Sequence, residues 1–119
     1  MVKKLVIAAL GLSLSCSSAA RVLAADTSTV TGHLRDSFCY TTMGAKGSGH
    51  HKCAVKCAKA GIPVLLVDDK NDKSYILLPP KDDEAMPASV TSKMEDEVTL
   101  TGHEFTKQGT NFFQVESVK

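Results

Sequence analysis

The sequence lacks a hydrophobic run long enough to cross a membrane. An apolar stretch at residues 5–14 follows a basic start with Lys3 and Lys4 and precedes a run of small residues. This length is typical of a secretory signal peptide, whereas a transmembrane helix needs about 20 apolar residues. We therefore predict a signal peptide at residues 1–25, cleaved after Ala24 or Ala25, no transmembrane helix, and a single periplasmic or secreted domain at residues 26–119.

Cys16 closes this apolar stretch, where a lipoprotein would carry its lipid anchor. Such a site normally has a larger aliphatic residue three positions earlier, and this chain has Ser13 there. We expect Cys16 to be removed with the leader, and a lipid anchor at Cys16 is the less favoured alternative.

An excess of positive charge is also missing. The chain has 14 basic and 13 acidic residues, and without Lys3, Lys4 and Arg21 the predicted mature domain has 11 basic and 13 acidic residues, a net charge of −2. Proteins that bind nucleic acid through its phosphates carry basic patches or a basic net charge. No nucleic-acid partner is expected.

Several cofactor and catalytic motifs are absent as well. The sequence has no Cys-x-x-Cys-His segment for covalent haem, and its three cysteines after residue 25 are too few for a four-thiolate iron–sulfur cluster. The acidic residues of segment 68–84 lack the spacing of a calcium-binding EF-hand. No Ser/His/Asp or paired-carboxylate arrangement stands out, so we expect a binding module rather than an enzyme.

What the domain does contain is a group of thiols and imidazoles within 19 residues, namely Cys39, His50, His51, Cys53 and Cys57. Exported proteins commonly form disulfides. An odd number of cysteines leaves one thiol over after any single disulfide. Three functions therefore stay open for this group: metal binding, a disulfide with a spare thiol, and thiol redox chemistry.

The rest of the domain has the alternating pattern of β-strands. Five strands are predicted, with a short helix at residues 88–94 before the fourth; the strands are residues 30–34, 64–67, 74–78, 98–105 and 111–118. Residues 50–60 are predicted to form a helix that Ser48 caps and that Gly61 and Pro63 end. This order predicts a mainly β protein, a small OB-like five-stranded barrel with a Cys/His insertion at residues 39–61 between strands 1 and 2.

The tripeptide Thr-Gly-His occurs twice, at residues 31–33 and 101–103. Three matching residues are too few for an internal repeat. We interpret them as shared strand and bulge chemistry, since glycine in a strand often marks a bulge.

The strand order, the segment Thr-Gly-His-Glu-Phe at residues 101–105 and the closing Phe-Phe-Gln-Val at residues 112–115 resemble those of secreted bacterial OB-fold proteins of uncharacterised function. The resemblance covers about 70 residues and rests on the general strand pattern. It implies the barrel only, because such proteins lack the segment from Cys39 to Cys57.

Helix geometry brings the ligand candidates together. At about 100° per residue, His50, Cys53 and Cys57 share an arc of about 60°, and His51 lies about 100° from His50. Cys39 is expected to approach from strand 1. Three thiolates and one imidazole make a tetrahedral metal site, so we predict Cys39, His50, Cys53 and Cys57 as ligands, with His51 as the substitute imidazole.

The softness of these ligands predicts Zn²⁺ or Cu(I) as the metal. A thioether from Met43, in the glycine-rich loop predicted at residues 41–49, would favour copper. Zinc is favoured if the site is closed and structural.

Two other interpretations of the cysteines stay open. A disulfide from Cys39 to Cys53 or Cys57 would staple the insertion to strand 1, in a periplasmic ligand-binding or protein-interaction domain with a spare thiol. A bridge between Cys53 and Cys57 is less favoured, because side chains one turn apart on a helix run parallel. A thiol redox protein would instead use Cys53, which lies early in the helix beside Lys52.

Overall fold

The computed structural model of the protein describes residues 26–119, so the predicted signal peptide and Cys16 lie outside it. Its strands are β1 (Ser28–Asp36), β2 (Val64–Asp68), β3 (Lys73–Leu78), β4 (Glu97–Lys107) and β5 (Thr110–Val118). Its helices are α1 (Ser37–Met43), α2 (His51–Lys59) and α3 (Ala88–Thr91), with a 3-10 turn at Ser48–His50. In this part of the chain, no helix is long and apolar enough to cross a membrane.

The five strands close into a barrel in the order β1-β2-β3-β5-β4. Every neighbouring pair is antiparallel except β3 and β5, which run parallel with Ile76 opposite Phe112. A five-stranded Greek-key barrel of this kind is the OB architecture. The predicted fold class is confirmed, including the helix inserted between β1 and β2 and the short helix before β4.

The core fills the inside of the barrel. Along β1, the buried residues Val30, Gly32 and Leu34 alternate with the exposed residues Thr29 and Thr31, as expected for strands with one face inward. The largest fully buried side chains are Phe113, Leu34, Leu66, Met94, Leu100, Val90, Val115 and Asp36. One of these is a carboxylate, and a buried carboxylate requires hydrogen-bond partners.

The insertion begins earlier than predicted, because β1 ends at Asp36 and the chain enters α1 at Ser37. Asp36 is the N-cap of α1, and its Oδ1 atom accepts a hydrogen bond from the backbone N–H of Cys39 at 2.7 Å. An Asp side chain in this position satisfies a free N–H group at the helix start. The prediction that Cys39 approaches from strand 1 was therefore wrong, since Cys39 lies in the first turn of α1.

The two ends of the Cys/His helix differ in how well the sequence predicted them. The helix starts at His51 with no side-chain cap hydrogen bond, so Ser48 does not cap it and His50 belongs to the 3-10 turn. The predicted C-terminal end of the helix at Gly61 is confirmed. Gly61 has a φ of 92°, its N–H donates to the Ala58 carbonyl at 3.1 Å, and the Ile62 N–H donates to the Cys57 carbonyl at 3.0 Å, which is the Schellman pattern.

The repeated glycines lie where two strands approach closely. A β-bulge between Thr101 and Gly102 shifts the register of β4 against β5, which confirms the bulge interpretation at this copy. A Cβ atom on Gly102 would lie 1.9 Å from the carbonyl oxygen of Gln114, and one on Gly32 would lie 2.5 Å from that of Val67. Both positions require glycine for lack of space.

We expect Gly102→Ala to lower the free energy of unfolding by about 3 kcal/mol, because the added methyl group forces two backbones apart. Gly49→Ala is the matched control, since nothing lies within 4 Å of the Cβ atom built there; it should stay within about 1 kcal/mol of the unsubstituted protein. Urea denaturation measures both. Equal stabilities for the two variants would contradict the close approach of β4 and β5.

Candidate metal centre

Two helices bring the three described cysteines together. Cys39 lies on α1, while Cys53 and Cys57 lie one turn apart on α2. Their sulfur atoms all lie within 4.8 Å of one another. Cys39 is buried, Cys57 is half-buried and Cys53 is exposed. The cluster can therefore hold a metal ion between the two helices, open to solvent on the side of Cys53.

Small residues on α2 set this arrangement. Ala54 and Ala58 are 0% and 7% exposed and belong to the hydrophobic core. Residues four apart lie on one helix face, so these alanines let α2 lie close against the barrel. Cys53 and Cys57 each precede one of these alanines, and the face they share points at Cys39.

A second group overlaps the first at Cys39. A carboxylate oxygen of Asp36, the sulfur of Cys39 and a ring nitrogen of His50 also lie within 4.8 Å of one another. The Nε2 atom of His50 is 2.7 Å from Oδ2 of Asp36. The structure thus brings Cys39, Cys53 and Cys57 together, and it places His50 in a separate group with Cys39 and Asp36.

His51 has a different role from the one its spacing suggested. Its Nδ1 atom is 2.5 Å from the carbonyl oxygen of Met94. A carbonyl oxygen only accepts hydrogen bonds, so Nδ1 carries the proton. This contact fixes the start of α2 to the segment before β4, and His51 is in neither ligand group.

A buried ion pair fixes the loop that precedes His50. Arg35 and Glu95 are 6% exposed each and form a salt bridge. Glu95 Oε2 also accepts a hydrogen bond from the backbone N–H of Gly47 at 2.8 Å. Among the described residues, Arg35 Nε and Glu95 Oε1 are the buried side-chain atoms without a partner. The pair holds the connection between α1 and α2 against the barrel and thereby positions His50.

Burial and neighbouring negative charge raise the pKa of two of the thiols, Cys39 and Cys57. Burial and the Asp36 carboxylate raise the pKa of Cys39 to about 12. Burial and the same carboxylate also raise the pKa of Cys57. Burial would raise the pKa of Asp36 too, but the Cys39 N–H and His50 bind its oxygens and lower it overall. A metal ion must therefore displace protons from these thiols.

The same features do not favour a nucleophilic or redox role for Cys39 or Cys57. An activated nucleophilic thiol has a lowered pKa and an accessible sulfur, whereas Cys39 is buried and the pKa values of both Cys39 and Cys57 are raised. Cys53, the predicted redox thiol, is exposed. None of the three cysteines in residues 26–119 forms a disulfide. The structure therefore gives no support to a disulfide staple.

A polar groove of about 420 Å³ lies between β1, the turn after β2 and β4, and is where the ligand of a stapled binding module would sit. Its polar groups bind each other. The Tyr75 hydroxyl donates to Glu104 at 3.1 Å, and the Asn71 amide donates to Asp68 at 2.7 Å. These contacts leave the thiol cluster as the better candidate site.

Comparison of the chain with protein-family models, with curated proteins and with solved structures finds no match. The OB-like barrel is shown by the strand order of the structure itself. The geometry of the thiol cluster is what indicates that it could bind a metal ion.

The sequence pattern did not identify three residues that shape the site, namely Asp36, Arg35 and Glu95. A signal for Asp36 was present, since Asp three residues before Cys39 fits an N-cap that accepts from the third helical residue. Arg35 and Glu95 are 60 residues apart, and no local pattern connects them. Their pairing depends on the closure of the barrel.

In the metal-free protein, we expect iodoacetamide to alkylate Cys53 first, Cys57 more slowly and Cys39 last, because the sulfurs are exposed, half-buried and buried in that order and only thiolates react. Peptide mapping by mass spectrometry over time measures the three rates. Labelling of Cys39 as fast as Cys53 would contradict the structure. Only one labelled cysteine would reveal a disulfide.

Proposed function

We propose that the protein is an exported metal-binding protein that holds one Zn²⁺ or Cu(I) ion through the thiolates of Cys39, Cys53 and Cys57 and the imidazole of His50. The observation that carries the proposal is the convergence of three sulfur atoms from two helices within 4.8 Å. Tetrahedral zinc with Zn–S bonds of about 2.3 Å needs sulfurs about 3.5 to 4 Å apart. Sulfurs that lie within 4.8 Å of one another are compatible with that separation.

The contact between His50 and Asp36 supports His50 as the fourth ligand. The lowered pKa of Asp36 keeps it ionised, so its Oδ2 accepts the Nε2 proton of His50. In the neutral ring the lone pair then lies on Nδ1, the atom that would bind the metal. A ligating histidine commonly donates its other N–H to a carboxylate, which fixes the ring and raises its basicity.

The chemistry of the donor set favours soft or borderline ions over calcium or magnesium. Met43 is 66% exposed, so no burial holds its thioether at the site. The exposure of Cys53 makes a fully closed structural zinc site a poor description. Both Zn²⁺ and Cu(I) fit the three thiolates and one imidazole.

Export belongs to this proposal. A signal peptide at residues 1–25 would deliver the domain to the periplasm or the exterior, where a lipid on Cys16 is the less favoured form. Free thiols oxidise there unless they are occupied. Metal occupancy would protect the cluster from disulfide formation.

Titration of the reduced mature protein with Zn²⁺, and separately with Cu(I) under anaerobic conditions, tests the proposal. We expect about one equivalent to bind, all three thiols to become protected from alkylation, and protons to be released on binding. No binding with three reactive thiols would contradict it. One reactive thiol and no metal would instead establish the disulfide-stapled binding module.

The role of Asp36 is tested by Asp36→Asn, which keeps an oxygen for the α1 cap but removes the charge that orients His50. We expect metal affinity to fall about 10-fold to 100-fold. Glu116→Gln is the matched control, because it alters a carboxylate 2.8 Å from a histidine, His103, on the exposed surface. Competition with a chelator measures both affinities. Equal losses in the two variants would rule out a specific role for Asp36.

A further inference from the structure

The charges of the domain are divided between its two parts. The insertion, residues 37–63, has four lysines and no acidic residue. The remainder of residues 26–119 has seven basic and 13 acidic residues. Counting histidine as neutral and the cysteines as protonated, the insertion carries +4 and the barrel part carries −6. A domain with a slightly negative net charge thus presents a strongly positive face at the metal centre.

The lysines of this face border the accessible thiol. Lys52, Lys56 and Lys59 are exposed and follow one side of α2 at spacings of four and three residues, which places them in one row. Lys56 is one turn from Cys53, the exposed cysteine of the cluster. None of the three forms a salt bridge with another residue of the described segment 26–119. Their charges are therefore free to meet a partner.

Exposed apolar side chains lie on the helix that faces α2 across the cluster. Phe38 and Met43 are 60% and 66% exposed, and both belong to α1, which carries Cys39. Exposed apolar side chains together with exposed charged side chains are typical of protein interfaces, where apolar contacts are surrounded by a polar rim.

We propose that the insertion is a docking face for an acidic protein with thiol ligands, and that metal passes between the two proteins through Cys53. This inference rests on the proposed metal centre. In the transfer, a thiol of the partner loses its proton and forms a sulfur–metal bond, while the bond between the metal and Cys53 breaks and Cys53 takes up the proton. The oxidation state of the metal does not change. Cys39, at the buried end, is the last ligand to be exchanged.

A transfer assay with defined peptides tests the docking face. The metal-loaded protein is mixed with a synthetic peptide that has a Cys-x-x-Cys pair flanked by glutamates, or with the same peptide carrying glutamines. We expect transfer to the acidic peptide to be about tenfold faster at low ionic strength, and this preference to disappear at high salt, because opposite charges steer association. Quenching at successive times, separation of the protein from the peptide and metal analysis of each measure both rates.

Two triple variants distinguish an effect of the lysines on the docking face from an effect of the net charge of the protein. Lys52, Lys56 and Lys59 changed to glutamine should abolish the preference while one metal ion still binds. The control changes Lys70, Lys107 and Lys119, which are exposed on the barrel part, to glutamine and should keep it. No preference in the loaded unsubstituted protein, or equal losses in both variants, would overturn the docking face alone. A protein that loads no metal would overturn the proposed function first.

Binding of the loaded protein to phosphatidylglycerol vesicles tests an anionic membrane as the alternative partner of the docking face. If the loaded protein bound such vesicles through the same lysines and showed no preference between the peptides, the face would belong to an anionic membrane, and the proposed protein partner would be wrong.

Discussion

The buried carboxylate of Asp36 connects the barrel to the candidate metal centre. It ends β1, accepts the Cys39 N–H that starts α1, and contacts His50 beside α2. A buried charge without partners is very unfavourable, so these contacts are needed to keep Asp36 inside the protein. Because the carboxylate of Asp36 binds both Cys39 and His50, the positions of these two residues depend on the same side chain.

The barrel supplies the rigid frame on which this connection depends. Ala54 and Ala58 pack α2 against the core. In the segment before β4, Glu95 accepts a hydrogen bond from Gly47, and the Met94 carbonyl accepts one from His51. The insertion is therefore fixed at several points, although it lies outside the barrel. Such a frame lets three thiols remain close without a disulfide, and it leaves Cys53 at the solvent edge.

The sequence predicted the scaffold better than the site. Alternation in the strands gave the barrel and its order, since each strand has one face in the core, and Gly61 marked the end of α2. The pairing of His50 with Asp36 was not predicted, because helical spacing was extended to a residue that lies in a 3-10 turn. Arg35 and Glu95 meet only when distant strands close, and no local pattern encodes that contact.

X-ray absorption at the zinc edge of the loaded protein tests whether the three cysteines bind a single metal ion, because it reports the number and type of atoms bonded to the metal. We expect three sulfurs at about 2.3 Å and one nitrogen at about 2.0 to 2.1 Å from the metal. A first shell of only nitrogen and oxygen, or one with fewer than three sulfurs, would contradict it.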